Sequence, residues 1–66
     1  MINNKFSEMV GRRLLKISEI SENTGISRGA LTNLYYKRTK AISLNTLDKL
    51  CNYLNCSITD IIEYQD

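Results

Sequence analysis

The feature that most constrains the fold of this chain is a single glycine, Gly25, between two short amphipathic helical patterns. The first pattern predicts a helix over residues 17–24, which Gly25 ends in a left-handed conformation that other residue types adopt only with strain. Ser27 then supplies a hydroxyl that caps a second helix, from Arg28 to Tyr35 or Tyr36. The apolar residues expected between the two helices recur at helical spacing: Ile17, Ile20, Ala30, Leu31 and Leu34. Two helices connected in this way form a helix-turn-helix.

The segments on both sides of this motif also have helical periodicity. A first helix is predicted over residues 4–14, capped by Asn3 or Asn4. Its apolar stripe is formed by Phe6, Met9, Val10 and Leu14. A fourth helix is predicted from its cap, Ser43, to Leu54. Its buried stripe is formed by Leu44, Leu47, Leu50, Cys51 and Leu54.

A short fifth helix is predicted near the C-terminal end. Ser57 and Asp60 fit the S-x-x-D form of a capping box, and the apolar residues of this helix are Ile58, Ile61 and Ile62. The sequence therefore predicts an all-α, five-helix fold in a single domain over residues 1–66. A chain this short is only marginally stable alone, so formation of a homodimer is the expected source of further stability.

The charged side chains are distributed unevenly along the chain. Residues 1–40 carry eight cations and three carboxylates, a net charge of +5, whereas residues 41–66 carry one cation and four carboxylates, a net charge of −3. The basic part contains the helix-turn-helix and the loop after it, so a polyanionic partner is drawn to that end. The alternative interpretation is an ordinary solvated surface with a chance asymmetry.

Several classes of protein do not fit the residues present. The chain has no histidine, no glycine-rich nucleotide loop and no clustered carboxylate pair, which argues against an enzyme and against a cofactor. Cys51 and Cys56 cannot complete a tetrahedral zinc site by themselves, and we expect them to be packing residues that stay reduced. Neither a membrane-spanning segment nor a signal-peptide core is apparent, so we expect a cytoplasmic protein with no membrane partner. The motif occupies the whole chain, and no small-molecule ligand is expected.

The sequence resembles the phage repressor and Cro type of helix-turn-helix domain, also called the XRE-like family. The matching residues of the motif are Ile20, Ser21, Gly25, Ile26, Ser27, Leu31 and Leu34, and the segment Ser43–Ile62 resembles the fourth and fifth helices of the family. A bare helix-turn-helix pattern has low specificity, whereas the same pattern followed by the leucine stripe and the S-x-x-D sequence is much more specific. The resemblance implies a lambda-repressor-like DNA-binding domain of five helices, with the start of the third helix in the major groove.

Four positions are implied by this resemblance to contact base edges: Arg28, Gly29, Thr32 and Asn33. An arginine can donate two hydrogen bonds to a guanine, an asparagine amide can pair with an adenine, and a threonine methyl suits a thymine. Gly29 has no side chain, and we expect it to let the helix backbone approach the floor of the groove. The alternatives are a phosphate contact or a surface ion pair for Arg28, and a solvated helix face for Asn33.

Phosphate contacts are expected from three places. At the start of the second helix, the amides of Ile17 and Ser18 point outward and Lys16 adds a charge, although Lys16 and Ile17 depart from the usual family residues there. The second place is the cap residue Ser27. The third is the segment after the third helix, with the candidate residues Tyr36, Lys37, Arg38 and Lys40. A solvated turn is the alternative for this last segment.

The sequence thus predicts a sequence-specific transcriptional regulator that binds double-stranded DNA as a homodimer. A two-fold axis doubles the contacts of one copy, with half-sites about 10 base pairs apart. Dimer contacts are expected in the fifth helix and the tail, from Ile58, Ile61, Ile62 and Tyr64, although Ile58 and Ile61 fit better in the core. The alternative function is a protein-interaction module that modulates another regulator, which the basic stretch 37–40 disfavours.

Overall fold

The computed structural model describes all 66 residues. Four α-helices and a two-stranded sheet follow one another as β1 (Ile2–Asn4), α1 (Phe6–Arg12), α2 (Ile17–Thr24), α3 (Arg28–Tyr35), α4 (Leu44–Leu54) and β2 (Ile62–Tyr64). A short 3-10 turn, Ile58–Asp60, connects α4 to β2. The helices are too short and too polar for any of them to cross a membrane.

One core of 11 buried side chains holds these elements together. The five largest fully buried side chains come from the four helices and from the residue before β2: Phe6, Ile20, Leu31, Leu50 and Ile61. Helical spacing of three and four residues brings the other core side chains to the same side of each helix. The predicted stripes of α1, α3 and α4 therefore provide most of the core, and helix–helix packing rather than local propensity stabilises helices this short.

The helix-turn-helix has the predicted boundaries. Gly25 has a left-handed φ of 79°, and its N–H donates a 2.9 Å hydrogen bond to the carbonyl of Ser21. The Ser21 hydroxyl donates to the carbonyl of Ile26 at 2.7 Å, which ties the turn back to α2. Ser27 caps α3 by accepting a 3.2 Å hydrogen bond from the N–H of Ala30. These local bonds set the direction in which α3 leaves the turn.

The predicted all-α, five-helix fold is wrong at the C-terminal end, where a strand replaces the fifth helix. The capping box of Ser57 and Asp60 is present, but it opens only a three-residue 3-10 turn. The chain then extends as β2 and pairs with β1 in antiparallel register, with Ile2 opposite Tyr64, Asn3 opposite Glu63 and Asn4 opposite Ile62. Asn3 and Glu63 lie 60 residues apart, so no local pattern could indicate this pairing.

The first helix is shorter than predicted because the residues at both of its ends have other roles. Asn4 lies in β1, and from there its side-chain oxygen accepts a 2.9 Å hydrogen bond from the N–H of Phe6. At the other end Leu14 has a left-handed φ of 54° and is 88% exposed. The N–H of Leu15 donates to the carbonyl of Val10 at 3.1 Å, and Leu15 packs against the core in place of Leu14.

Three other apolar residues that we expected to be buried lie at the surface. Leu44 is the first residue of α4 and is 81% exposed, and Ile58 begins the 3-10 turn and is 44% exposed. Ala30 is exposed as well, in the first turn of α3. All three residues lie in the first turn of an element, and the next core residue, Leu31, Leu47 or Ile61, follows one to three positions later. The helical period alone did not reveal this offset.

Candidate nucleic-acid interface

The third helix has one face against the core and one face in solvent. Leu31 and Leu34 are buried on the inner face, where α3 packs against α1 and α2. Of the four predicted base-contact residues, Arg28, Gly29 and Asn33 are exposed and Thr32 is half-buried. No carboxylate occurs in α3, so the helix itself offers nothing that repels an anion.

The first turn of α3 combines a free cation with open space. Arg28 takes part in neither of the two ion pairs of the chain, and its exposed guanidinium retains its donors for a partner. A Cβ atom built on the next residue, Gly29, would have no neighbouring atom within 4 Å. Packing therefore does not require a glycine at this position, although glycine disfavours a helix by up to about 1 kcal/mol relative to alanine.

The start of α2 has no side-chain cap. Lys16 precedes the helix with an extended backbone and makes no capping hydrogen bond through its side chain. A 3.1 Å hydrogen bond from the N–H of Ile20 to the carbonyl of Lys16 opens the helical ladder. The amides of Ile17 and Ser18 lie before it, at the positive end of the helix dipole, which suits an anion. The side chains of these two residues are half-buried.

Contacts within the protein order the segment after α3. Lys37 has a left-handed φ of 61°, and its ammonium nitrogen lies 3.6 Å from a carboxylate oxygen of Glu8. The N–H of Arg38 donates to the carbonyl of Asn33 at 2.8 Å, a Schellman closure of the helix end. The Arg38 guanidinium lies 5.0 Å from the ring centre of Tyr36, a cation–π geometry. The segment therefore presents Lys37 and Arg38 in a fixed arrangement.

Folding brings only some of the predicted phosphate-contact residues together. Lys16 and Ile17 line one surface groove together with Tyr36, so the start of α2 and the end of α3 are neighbours. Lys40 is exposed and lines a different groove, together with Ile62 of β2. Ser27 is exposed at the opposite end of α3 from Tyr36.

Two contacts in this region have no signal in the sequence. The ion pair of Glu8 and Lys37 joins α1 to the residue after α3, and a pairing over such a distance has no local signal. The stacking of Arg38 on Tyr36 joins residues two apart, which do not face each other on a helix. An arginine two residues after a tyrosine can stack on its ring only where the helix ends before the arginine, as it does here.

Three findings relate this geometry to known proteins. Residues 5–66 match the family model of the Cro/C1-type HTH DNA-binding domain. The uncharacterised HTH-type transcriptional regulator YozG of Bacillus subtilis (strain 168) is 39% identical over 57 residues, which are 86% of this chain and 68% of YozG. A crystal structure of a candidate DNA-binding protein from Bacteroides fragilis has the same fold, with a TM-score of 0.80 at 19% identity, over 96% of this chain and 100% of that one.

Proposed function

This chain belongs to the Cro/C1-type family of helix-turn-helix DNA-binding domains, and we propose that it regulates transcription by reading the major groove of specific double-stranded sites with α3. The observation that carries the proposal is the uncovered outer face of α3, with an unpaired arginine in its first turn. The proposed role is binding without a catalytic step or a cofactor, in the cytoplasm.

In the proposed complex, the exposed outer residues of α3 contact base edges. Arg28 donates two hydrogen bonds to the O6 and N7 atoms of a guanine, and the amide of Asn33 pairs with an adenine. Thr32 contacts a thymine methyl or donates from its hydroxyl. Gly29 makes no side-chain contact, and the open space around it lets the helix backbone come close to the base pairs.

Phosphates of the two strands are bound on either side of α3 in this proposal. The uncapped amides of Ile17 and Ser18 bind one phosphate, with Lys16 beside them. Ser27 contacts a second phosphate through the hydroxyl that also caps α3. The segment after α3 contacts further phosphates of the DNA backbone, through Tyr36, Lys37, Arg38 and Lys40. Arg38 is the best oriented of these cations, because it is stacked on Tyr36 and has no carboxylate partner.

The proposal includes a homodimer on a near-palindromic site, with half-sites about 10 base pairs apart. Of the four residues that the sequence suggested for the dimer contact, Ile61 is fully buried and Ile62 is half-buried, so neither is a good candidate. Tyr64 and Ile58 are exposed, and Tyr64 faces the exposed Ile2 across the sheet. The terminal surface, which consists of Met1, Ile2 and Tyr64, is therefore the proposed place of contact between two copies.

A protein-interaction module without DNA binding is the less favoured function. If a partner protein bound α3 and the segment after it, this side would need an apolar surface, and dry interfaces are depleted in lysine. The exposed side of the helix-turn-helix carries Arg28, Arg38 and Lys40 instead. The YozG relative is also described as a transcriptional regulator.

Selection of bound sites from a random duplex library tests the proposed function directly, and two alanine variants test its two kinds of contact. Arg28→Ala should weaken binding to the selected site by about 1–3 kcal/mol and relax the preference at one base pair, because a bidentate base contact is lost. Lys40→Ala should weaken binding to all duplexes and lower the salt dependence, because only a phosphate contact is lost.

If Arg28→Ala lowered the affinity for all duplexes equally, Arg28 would be a phosphate contact and not a base contact. Absence of any duplex binding at low ionic strength, in a protein that is folded by circular dichroism, would contradict the proposed function as a whole.

A further inference from the structure

The two cysteines of the chain lie on either side of the turn that ends α4, at a place that the proposed DNA contacts do not include. Asn55 has a left-handed backbone, with φ of 52° and ψ of 53°, and turns the chain back after the helix. The N–H of Cys56 then donates a 3.1 Å hydrogen bond to the carbonyl of Cys51. In helices closed in this way, the two residues at these positions usually make an apolar side-chain contact. Both positions hold a thiol in this protein.

The surroundings of the thiols allow a small molecule to reach them. Both cysteines are free and half-buried, and both pack against the edge of the core. Burial raises the pKa of the Cys56 thiol, the nearby Cys51 thiol and Asp60 act in the same direction, and Arg13 opposes them. The backbone hydrogen bond between Cys56 and Cys51 keeps the two residues next to each other at the edge of the core. No other cysteine occurs in the chain to compete for either of them.

From this placement we propose that Cys51 and Cys56 form a thiol–disulfide exchange site, which reacts with a small disulfide of the glutathione type and closes as an intramolecular bond. One cysteine loses its proton and attacks the small disulfide, which releases one glutathione thiolate and leaves a mixed disulfide on the protein. The thiolate of the second cysteine attacks the protein sulfur of that mixed disulfide and releases the second glutathione. The two protein thiols lose two protons and two electrons, and one oxidised glutathione becomes two reduced ones.

The fold favours the intramolecular product over the mixed disulfide. The turn at Asn55 already holds the backbones of residues 51 and 56 at hydrogen-bond distance. Folding has therefore already met the entropic cost of closing the loop between the two cysteines. Disulfides join residues whose Cα atoms lie about 4.4–6.8 Å apart, and the backbone hydrogen bond across the turn keeps residues 51 and 56 near each other. The disulfide would connect the two positions that are usually in side-chain contact at helix ends of this type. The turn lies outside α3, so the bond would not involve that helix.

Equilibration of the full-length protein with mixtures of reduced and oxidised glutathione tests the proposal. After the reaction is quenched with acid, mass spectrometry separates the intramolecular disulfide, which has lost two hydrogen atoms, from the mixed disulfide, which has gained a glutathione. The effective concentration of one thiol for the other should be about tenfold higher in the native protein than in the same chain unfolded in urea. Asn55→Gly, which keeps a left-handed turn, should retain this advantage.

The single variants Cys51→Ser and Cys56→Ser are the matched controls and should yield only mixed disulfides. An effective concentration that is no higher in the native protein than in urea would overturn the proposal, because the fold would then not bring the thiols together. Predominance of intermolecular disulfides at micromolar protein would overturn it as well. Duplex binding is measured in separate samples, so a failure of the proposed DNA-binding function leaves the outcome of this experiment unchanged.

Discussion

A left-handed residue follows each of the four helices, and only one of these residues is glycine. Gly25 follows α2, whereas Leu14, Lys37 and Asn55 follow the other three helices. Glycine adopts this conformation without strain and asparagine tolerates it, so both helix ends could be predicted from the sequence. Leucine and lysine carry no such signal. Their backbone conformation follows from the Schellman bonds at both helix ends and, for Leu14, also from Leu15, which packs against the core.

This difference predicts opposite effects of two substitutions on stability. Leu14→Gly should stabilise the protein by about 0.5–1 kcal/mol. It relieves a left-handed conformation that costs about 1–2 kcal/mol, and it removes only an exposed side chain. Part of this gain is offset because glycine raises the conformational entropy of the unfolded chain. Gly25→Ala should destabilise it by about 1 kcal/mol through backbone strain alone, because no atom lies within 4 Å of the added methyl group.

Urea unfolding at unchanged m-value measures both effects as shifts of the midpoint. Destabilisation by Leu14→Gly would mean that the Leu14 side chain makes contacts that its 88% exposure does not suggest.

At the level of elements, local signals account for α2, α3 and α4 but not for the sheet. The boundaries of these helices follow from Gly25, Ser27 and Ser43, because each of these residues satisfies or redirects backbone groups next to it. The sheet depends on the pairing of the two chain ends, which no local pattern indicates. In the candidate site, the outer residues of α3 were predictable from the sequence. The contacts of Lys37 with Glu8 and of Arg38 with Tyr36 were not. The sequence therefore predicts what a residue does to its neighbours in the chain better than what distant segments do to each other.

The sheet should make stability depend on acid pH through Glu63. The hydrogen bond from the Asn3 side chain, and then the charge of Lys5, lower the pKa of Glu63 below its ordinary value of 4.5. A carboxyl group whose pKa is lower in the folded state adds stability above the unfolded-state pKa, and this stability is lost as the pH falls through the folded-state pKa. Glu63→Gln should therefore lose less stability than the parent protein when the pH is lowered below about 4.5.

Thermal unfolding at a series of pH values gives the comparison, with Glu22→Gln on the exposed side of α2 as the control. If Glu63→Gln and Glu22→Gln had the same pH dependence, the bond between the chain ends would not depend on the Glu63 charge.

On the scale of the whole molecule, the first turn of α3 and the terminal surface are separate features, whereas Lys40 lines one groove with Ile2 of the terminal surface. The cations of the helix-turn-helix serve the proposed DNA contact, and the exposed apolar residues Met1, Ile2 and Tyr64 lie where the chain ends meet. A two-fold dimer through the terminal surface would leave the first turn of α3 uncovered in each copy, because that turn does not line the groove that contains Ile2. Association and base reading by Arg28 can therefore be weakened independently, whereas Lys40 lies next to the terminal surface.

Disruption of the terminal surface should therefore reduce association without a loss of folding. Ile2→Lys removes an exposed apolar side chain and should raise the dimer dissociation constant about tenfold or more, which corresponds to about 1.4 kcal/mol. Leu44→Lys is a matched control, because Leu44 is also a large, exposed apolar residue but lies at the start of α4. Sedimentation over a range of concentrations gives the dissociation constants. Similar values for both variants would place the dimer contact elsewhere.

The carboxylate of Glu8 should lower the affinity of the protein for DNA. Glu8 lies 3.6 Å from Lys37 and is about half exposed, so it competes with phosphate for that ammonium group. Glu8→Gln should raise the affinity for all duplexes, by up to about 1 kcal/mol, the value of an exposed ion pair. Titrations at two salt concentrations, with Glu22→Gln as the control, measure this gain. A gain restricted to one duplex sequence would indicate that Glu8 affects base reading instead.

The pairing of β1 with β2 has a consequence for how this domain can be re-engineered. The amino group of Met1 donates a hydrogen bond to the carbonyl of Gln65, so the backbone almost forms a closed circle. A peptide bond through a short linker could complete that circle without distortion of the helices, and the cyclised protein should resist heat better because its unfolded state has lost freedom. The same circle could be cut in an exposed loop, which would give a permuted protein with new ends and an unchanged interior.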